Sequence, residues 1–474
     1  MGKIINSYIL PHPPIIVPEI GQNKAEAAAD TVRAVERAAA EIAKDNPSTI
    51  ILSSPHSPCF RDFVYIANSE YLFGNFAAFG KPKLEFHFEN NCNLIADIVK
   101  NAELDGIKAG TLSSRIQEQY GIPDTLDHGA LVPLYFIRKE FIRREIGNCK
   151  LILISTPFIP LVDLYRFGRC IAGAVNSSAE NVVYVASGDL SHRLTVDAPA
   201  GYNPKGREYD QYLIARLKET AVEDLLNIDE NFMEAAGECG TRSFVMMLGA
   251  LDGLKIKTDI FSYEGPFGVG YLVAKISSPG RDEENSNLEN YLYNKKKGLN
   301  NLRQNESDYV KLARETVETF VKEKRKITMP PGISPELLNR RAGVFVSIKK
   351  NGRLRGCIGT ISPVRKNIAE EIINNAISSG TEDPRFRPVS KEELADLIYS
   401  VDVLGEPEKI SSLQELDINR YGVIVSSGLR RGLLLPDLEG VESPEQQVAI
   451  ALQKAGIGNS EKYELERFEV IRYK

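Results

Sequence analysis

Three short apolar runs, residues 4–10, 49–52 and 182–186, each give way to a turn that carries a histidine: His12, His56 and His192. Runs of this length separated by helix-like stretches predict an α/β unit with a largely parallel sheet. In such sheets ligands bind where loops leave the carboxyl ends of the strands, so side chains distant in sequence can converge there. The chain has only five histidines in 474 residues, and three of them stand at strand ends. A metal site is the leading inference. Pro11, Pro13 and Pro55 flank two of these residues and stiffen their loops, which suits a side chain that must hold its orientation. The competing reading is three unrelated loop histidines with ordinary hydrogen bonds. The spacing is no local zinc signature such as His-Glu-x-x-His, so the metal reading depends on the fold to bring the turns together.

The alternation continues to about residue 276. A long Ala-rich stretch, 23–45, reads as helix, and 150–155 and 182–186 read as strands with 161–177 helical between them. Residues 256–264 and 269–276 close the segment, with Gly265-Pro266 as the turn. The expected first domain is therefore 1–276, α/β with helices on both faces of the sheet. From 277 to 308 the chain is rich in Ser, Asn, Lys and acidic residues and is expected to be a polar linker. Residues 309–474 read as an α+β domain with an antiparallel sheet. A helix at 309–322 leads to a hairpin, 344–350 and 353–358, around Asn351-Gly352, the sequence that a type I′ turn prefers. Helices near 368–378 and 444–455 mix with strands near 397–403, 421–425 and 432–435.

Composition narrows the class. With 43% hydrophobic and 26% charged residues and a net charge of -6, there is no electrostatic case for nucleic-acid binding. No run of about 18 apolar residues suggests a membrane span, and the expected location is the cytoplasm. Six cysteines are scattered without Cys-x-x-Cys pairs, which fits reduced thiols better than a disulfide framework.

Four motifs carry a resemblance: Leu10-Pro11-His12-Pro13-Pro14, Ser54-Pro55-His56, Asp127-His128-Gly129 and Gly188-Asp189-Leu190-Ser191-His192. With them, residues 1–276 resemble the LigB superfamily of class III extradiol ring-cleaving dioxygenases, which includes the related Memo proteins. The resemblance implies His12 and His56 as imidazole ligands of non-haem Fe(II), with zinc or another divalent metal as the alternative. It makes His192 an acid/base group and gives His128 a role in substrate binding or proton transfer. Two imidazoles and one carboxylate would leave open positions for a catecholate and O2. His128 also reads simply as a turn residue capping the following segment. His87, in the alternating run 84–89, reads as a strand residue facing solvent or a satisfied partner, outside the site.

The third ligand has adjacent candidates. Glu238 and Cys239 precede Gly240 and an apolar helix, where the dioxygenases place a glutamate and Memo a cysteine. Glu238 would restore the facial triad, whereas a thiolate at Cys239 favours softer metals and is oxidised easily. Glu264 is a weaker candidate.

In the second half, Leu354-Arg355-Gly356-Cys357-Ile358-Gly359-Thr360, Asp383-Pro384-Arg385-Phe386 and Arg431-Gly432-Leu433-Leu434-Leu435-Pro436 resemble the AMMECR family. That family belongs to a constellation with Memo-like and radical S-adenosylmethionine proteins. The implied partners are a small aromatic or other small-molecule substrate, O2 and a radical S-adenosylmethionine protein; self-association into a homo-oligomer stays open. Arg355, Gly356, Cys357 and Arg385 form a candidate second site, in which the Arg355 guanidinium would favour a Cys357 thiolate. The competing reading is a small apolar cysteine buried on a sheet, since this half has no histidine to act as base.

Overall fold

The computed structural model describes residues 1–122, 125–147, 149–282, 286–438, 440–458 and 460–474. It divides into two compact units, Met1–Tyr293 and Asn294–Lys474.

The first unit is built on a six-stranded sheet in the order Lys150–Ser155, Thr49–Ser54, Asn181–Ser187, Lys3–Leu10, Tyr271–Arg281, Leu254–Glu264. The first four strands are mutually parallel. The last two are antiparallel to their neighbours. Successive side chains alternate between two cores. Ile9, Ile51, Ile152 and Tyr184 pack with residues of the helices Cys92–Leu104, Leu161–Ser177 and Thr241–Gly249. Tyr8, Leu10, Ile50, Leu52 and Val183 pack with residues of Ala29–Asp45 and His128–Arg143. Because both faces are covered, each parallel strand carries a short apolar run, and all six residues of Thr49–Ser54, its Thr and Ser included, are buried. Each large side chain so buried contributes about 1.5–3 kcal/mol. Thr49–Ser54, Asn181–Ser187 and Lys3–Leu10 are adjacent and point the same way, so the loops bearing His56, His192 and His12 leave the sheet side by side.

One expectation needs correction. Residues 277–308 are not a structureless linker: the strand Tyr271–Arg281 runs into this stretch, and a helix, Asn287–Gln304, follows. The helix start is anchored by Asp252, which accepts hydrogen bonds from the Ser286 hydroxyl at 2.7 Å and the Asn287 N–H at 2.8 Å. Leu288 and Tyr291 are buried. Few apolar residues suffice here because a distant carboxylate supplies the cap.

The second unit holds a seven-stranded antiparallel sheet. The hairpin Val344–Lys350 and Arg353–Gly359 turns at Asn351 and Gly352 with φ of 52° and 78°, as a type I′ turn requires. Helices Asp308–Glu323 and Ile368–Thr381 share a core with one part of the sheet, and Pro444–Ala455 shares a second core with Tyr421–Ser427 and Arg430–Leu434. The C-terminal strand Glu464–Tyr473 joins the two parts by pairing with Leu397–Leu404, Glu408–Ile410 and Tyr421–Ser427. Among the described residues no helix is long and apolar enough to cross a membrane.

Candidate metal centre

His12 sits two residues beyond the strand Lys3–Leu10 and is only 2% exposed. Its backbone N–H donates to Asp189 Oδ1 at 3.0 Å. Its Nδ1 lies 2.9 Å from Ser187 Oγ, and the Ser187 hydroxyl donates to the Gly129 carbonyl at 2.5 Å. A hydroxyl has one hydrogen to give. With that hydrogen on Gly129, the Nδ1 of His12 must be the donor to Ser187, and the Nε2 lone pair is left facing inward.

His56 sits two residues beyond Thr49–Ser54. Its N–H donates to Ser54 Oγ at 3.2 Å, while the hydroxyls of Ser54 and Ser57 donate to Asp127 at 2.6 and 2.7 Å. Asp127 also caps the helix His128–Arg143 by accepting from the Ala130 N–H at 3.2 Å. One carboxylate thus ties the His56 loop to the helix start that carries His128. The Nε2 atoms of His12 and His56 are 3.0 Å apart, and the His56 and His128 ring centroids are 3.9 Å apart. Ligand atoms of His12, His56 and His128 all lie within 4.8 Å of one another.

Burial, reinforced by the neighbouring imidazoles, holds His12 well below the usual histidine range and lowers His56 as well. Burial also lowers His128, against the opposing charges of Asp127 and Asp189. All three rings are therefore neutral at pH 7, the form that binds a cation. Two Nε2 atoms at 3.0 Å need a proton or a cation between them. The donor set fits a metal.

Gly129 explains part of the Asp127-His128-Gly129 motif. A Cβ there would overlap Ser54 Oγ and crowd Asp127 Oδ1 at 2.9 Å and His56 Cδ2 at 3.3 Å. Gly129→Ala should therefore displace the His56 loop, destabilise the protein by about 1–3 kcal/mol and lower metal affinity; thermal melts and metal titration check both effects, and an unchanged affinity would separate Gly129 from the site.

The adjacent candidates for a third donor point to different surroundings. Cys239 Sγ is 3.7 Å from His12 Nε2 and accepts the Asp189 N–H at 3.3 Å. Its loop comes close because glycines meet: a Cβ on Gly188 would overlap Gly240. Burial, then the Asp189 charge, pushes the Cys239 thiol well above the usual range, so a thiolate there requires a cation beside it. Glu238, the carboxylate expected to complete a facial triad, is used otherwise. Its Oε2 accepts the Thr241 N–H at 2.7 Å and the Thr241 hydroxyl at 2.8 Å, capping the helix Thr241–Gly249. Glu264 is likewise occupied, accepting from the Thr31 N–H and hydroxyl at 2.6 Å each. The carboxylate beside His12 is Asp189, with Oδ2 3.8 Å from His12 Nε2; burial raises it to about 6 against the pull of His192 and the His12 N–H. Asp189 belongs to a motif visible in the sequence, yet nothing in the sequence assigned it a part.

His192 is held by backbone bonds to Ala236 and Ala200, and its buried Nδ1 has no hydrogen-bond partner among the described residues. It is near enough to act electrostatically on His12, His56 and Asp189. His87 is exposed on its strand against Phe73.

In the second unit the motifs also meet, with one correction. Arg355 is committed to Glu393 through two hydrogen bonds of 3.0 Å, so its charge is already matched and does not serve Cys357. Gly356 lets the strand approach the Ser379 carbonyl, which a Cβ would overlap. The Cys357 N–H donates to Asp383 Oδ2 at 2.9 Å, and Arg385 binds Asp383 at 3.0 and 2.8 Å and the Cys357 carbonyl at 3.2 Å. Cys357 is half-buried rather than a core residue.

Among solved structures, the uncharacterized protein PH0010 of Pyrococcus horikoshii aligns with 35% of this chain and 88% of its own, at 33% identity and a TM-score of 0.33. The uncharacterized protein JW3007 of Escherichia coli K12 aligns with 57% and 99%, at 16% identity and a TM-score of 0.40. Protein CA_C1420 of Clostridium acetobutylicum is 43% identical over 468 residues, 98% of each chain. A Thermotoga maritima protein is 49% identical over 171 residues, 36% of this chain and 98% of its own. Residues 6–274 match the family described as the catalytic LigB subunit of aromatic ring-opening dioxygenase, and residues 310–474 match AMMECR1. The chain belongs to the LigB family and carries an AMMECR1 domain after its LigB domain.

Proposed function

We propose that the first unit is a mononuclear non-haem metal enzyme that acts with O2 on a catechol-like or other dihydroxylated small molecule. His12, His56 and Cys239 are its metal ligands, and Fe(II) is the metal, with zinc as the alternative. The observation that carries this reading is the meeting of three neutral imidazoles within 4.8 Å at the carboxyl edge of the sheet, with the lone pair of His12 turned inward by Ser187. Bound Fe(II) would supply open positions for a chelating pair of oxygens and for O2. The protein's own groups handle protons. His128, neutral and beside His56, accepts a proton from a substrate hydroxyl; His192, whose Nδ1 has no partner among the described residues, does so from the Asp189 side.

The test is anaerobic loading with Fe(II), followed by oxygen uptake against a panel of catechols. His192→Ala should keep its iron and lose about 10²-fold or more in kcat, the scale of a positioned acid/base. Loss of iron in that variant would instead make His192 a ligand.

A second reading is favoured by Cys239. A thiolate beside an O2-activating iron is exposed to oxidation, and the AMMECR1 domain suits a metal-binding maturation protein that works with a radical S-adenosylmethionine partner. Full metal loading with no uptake on any catechol supports this second reading over the first.

A further inference from the structure

The second unit contains an open cavity of about 960 Å³, at the upper end of the range for small-molecule sites. Three sequence motifs that the metal centre leaves unused contribute to its wall: Cys357, Arg385, and Leu433 with Leu435. Six cationic side chains line it against three carboxylates. Two of those carboxylates are already paired, Asp402 with Arg472 at 2.8 Å and Glu306 with Arg314 at 2.9 Å. The third, Asp437, lies within electrostatic reach of Arg472.

The charge is concentrated around Cys357. Arg385 binds its carbonyl, and Lys454 and Arg472 both lie within electrostatic reach of its thiol. These cations come from three separate elements: the turn after Ile368–Thr381, the last turn of Pro444–Ala455 and the strand Glu464–Tyr473. Arg385 is balanced by Asp383. Lys454 makes no ion pair with a described residue, and it is repelled by Arg385. Two cations held together with one unmatched charge form a place for an anion. Phe345, Leu433 and Leu435 supply apolar surface in the same cavity.

We propose that this cavity binds an anionic small molecule with an apolar body, its acidic group paired with Lys454 and Arg385 beside Cys357 and its body against Phe345, Leu433 and Leu435. The acidic group is a carboxylate, sulfonate or phosphate, since all three present oxygens to a lysine and a guanidinium.

The probe is 8-anilino-1-naphthalenesulfonate, titrated into the full-length protein. Saturable binding should weaken about tenfold in Lys454→Glu and less in Lys454→Gln, in keeping with loss of a charge-assisted contact. Lys462→Glu, which reverses an exposed charge elsewhere in the unit, should leave it unchanged. Carboxymethylation of Cys357 by iodoacetate, followed by peptide mass spectrometry, gives the location. The probe should slow it, and Lys454→Glu should slow iodoacetate more than neutral iodoacetamide, which responds only to the change in thiolate fraction. Equal affinity in wild type and both Lys454 variants, or no protection of Cys357 at saturating probe, would overturn the proposal.

Discussion

A His12→Ala protein should come out of anaerobic loading without stoichiometric metal, while the wild type carries one equivalent. His12 is the most deeply buried of the three converging imidazoles. Its Nε2 faces both His56 Nε2 at 3.0 Å and Cys239 Sγ at 3.7 Å. Losing it removes the donor common to both contacts, so the affinity loss should exceed the roughly 10–100-fold typical of outer-sphere changes. The fold should survive. The strand before it is held by pairing on both sides, and the metal-free variant loses mainly the hydrogen bond to Ser187 Oγ, worth about 1–3 kcal/mol when a buried group is left unpaired. His56→Ala should lose metal likewise at smaller cost in stability, because the His56 loop is more open to solvent than His12 although its ring is partly shielded. Elemental analysis beside a thermal melt separates the two effects. A full equivalent of metal in folded His12→Ala would remove the basis of the proposed site.

The second large effect concerns neighbouring residues with opposite expected outcomes. Cys239→Ser should reduce metal affinity by about tenfold or more, since a hydroxyl is a far poorer ligand than a thiolate. Glu238→Ala should keep its metal and lose about 1–2 kcal/mol of stability, the usual scale for a lost helix cap, because the Thr241 N–H and hydroxyl lose their shared acceptor. Metal retained in Cys239→Ser and lost in Glu238→Ala would restore the carboxylate triad.

Much of this arrangement is legible in the sequence for definite physical reasons. The parallel strands are covered on both faces, so they read as short apolar runs, and Pro or Gly marks the turns where they end. His12, His56 and His192 could be placed at one sheet edge on that pattern alone. The choice between Glu238 and Cys239 could not be made. It depends on the close approach of Gly188 and Gly240 and on Thr241 claiming the carboxylate, contacts that only the folded chain brings about. Asp189 carries no signal in the sequence for a similar reason: its nearness to His12 arises between adjacent strand ends. The helix Asn287–Gln304 is hidden by its polar composition, since Asp252 supplies its anchor from elsewhere in the chain. The strand Glu464–Tyr473 is hidden by its charges, which are matched across the sheet by pairs such as Arg467 with Glu408 and Arg472 with Asp402. Cys357, expected in one reading to be a core thiol, lines a cavity because its neighbours come from three distant segments.

The central claim is that two imidazoles and one thiolate hold a single metal. X-ray absorption at the zinc edge of protein loaded stoichiometrically with zinc in place of Fe(II) tests it most directly. The account predicts nitrogen at about 2.0–2.1 Å and one sulfur at about 2.3 Å, with the sulfur shell absent from Cys239→Ser. A first shell of oxygen and nitrogen only, identical in wild type and Cys239→Ser, would contradict it.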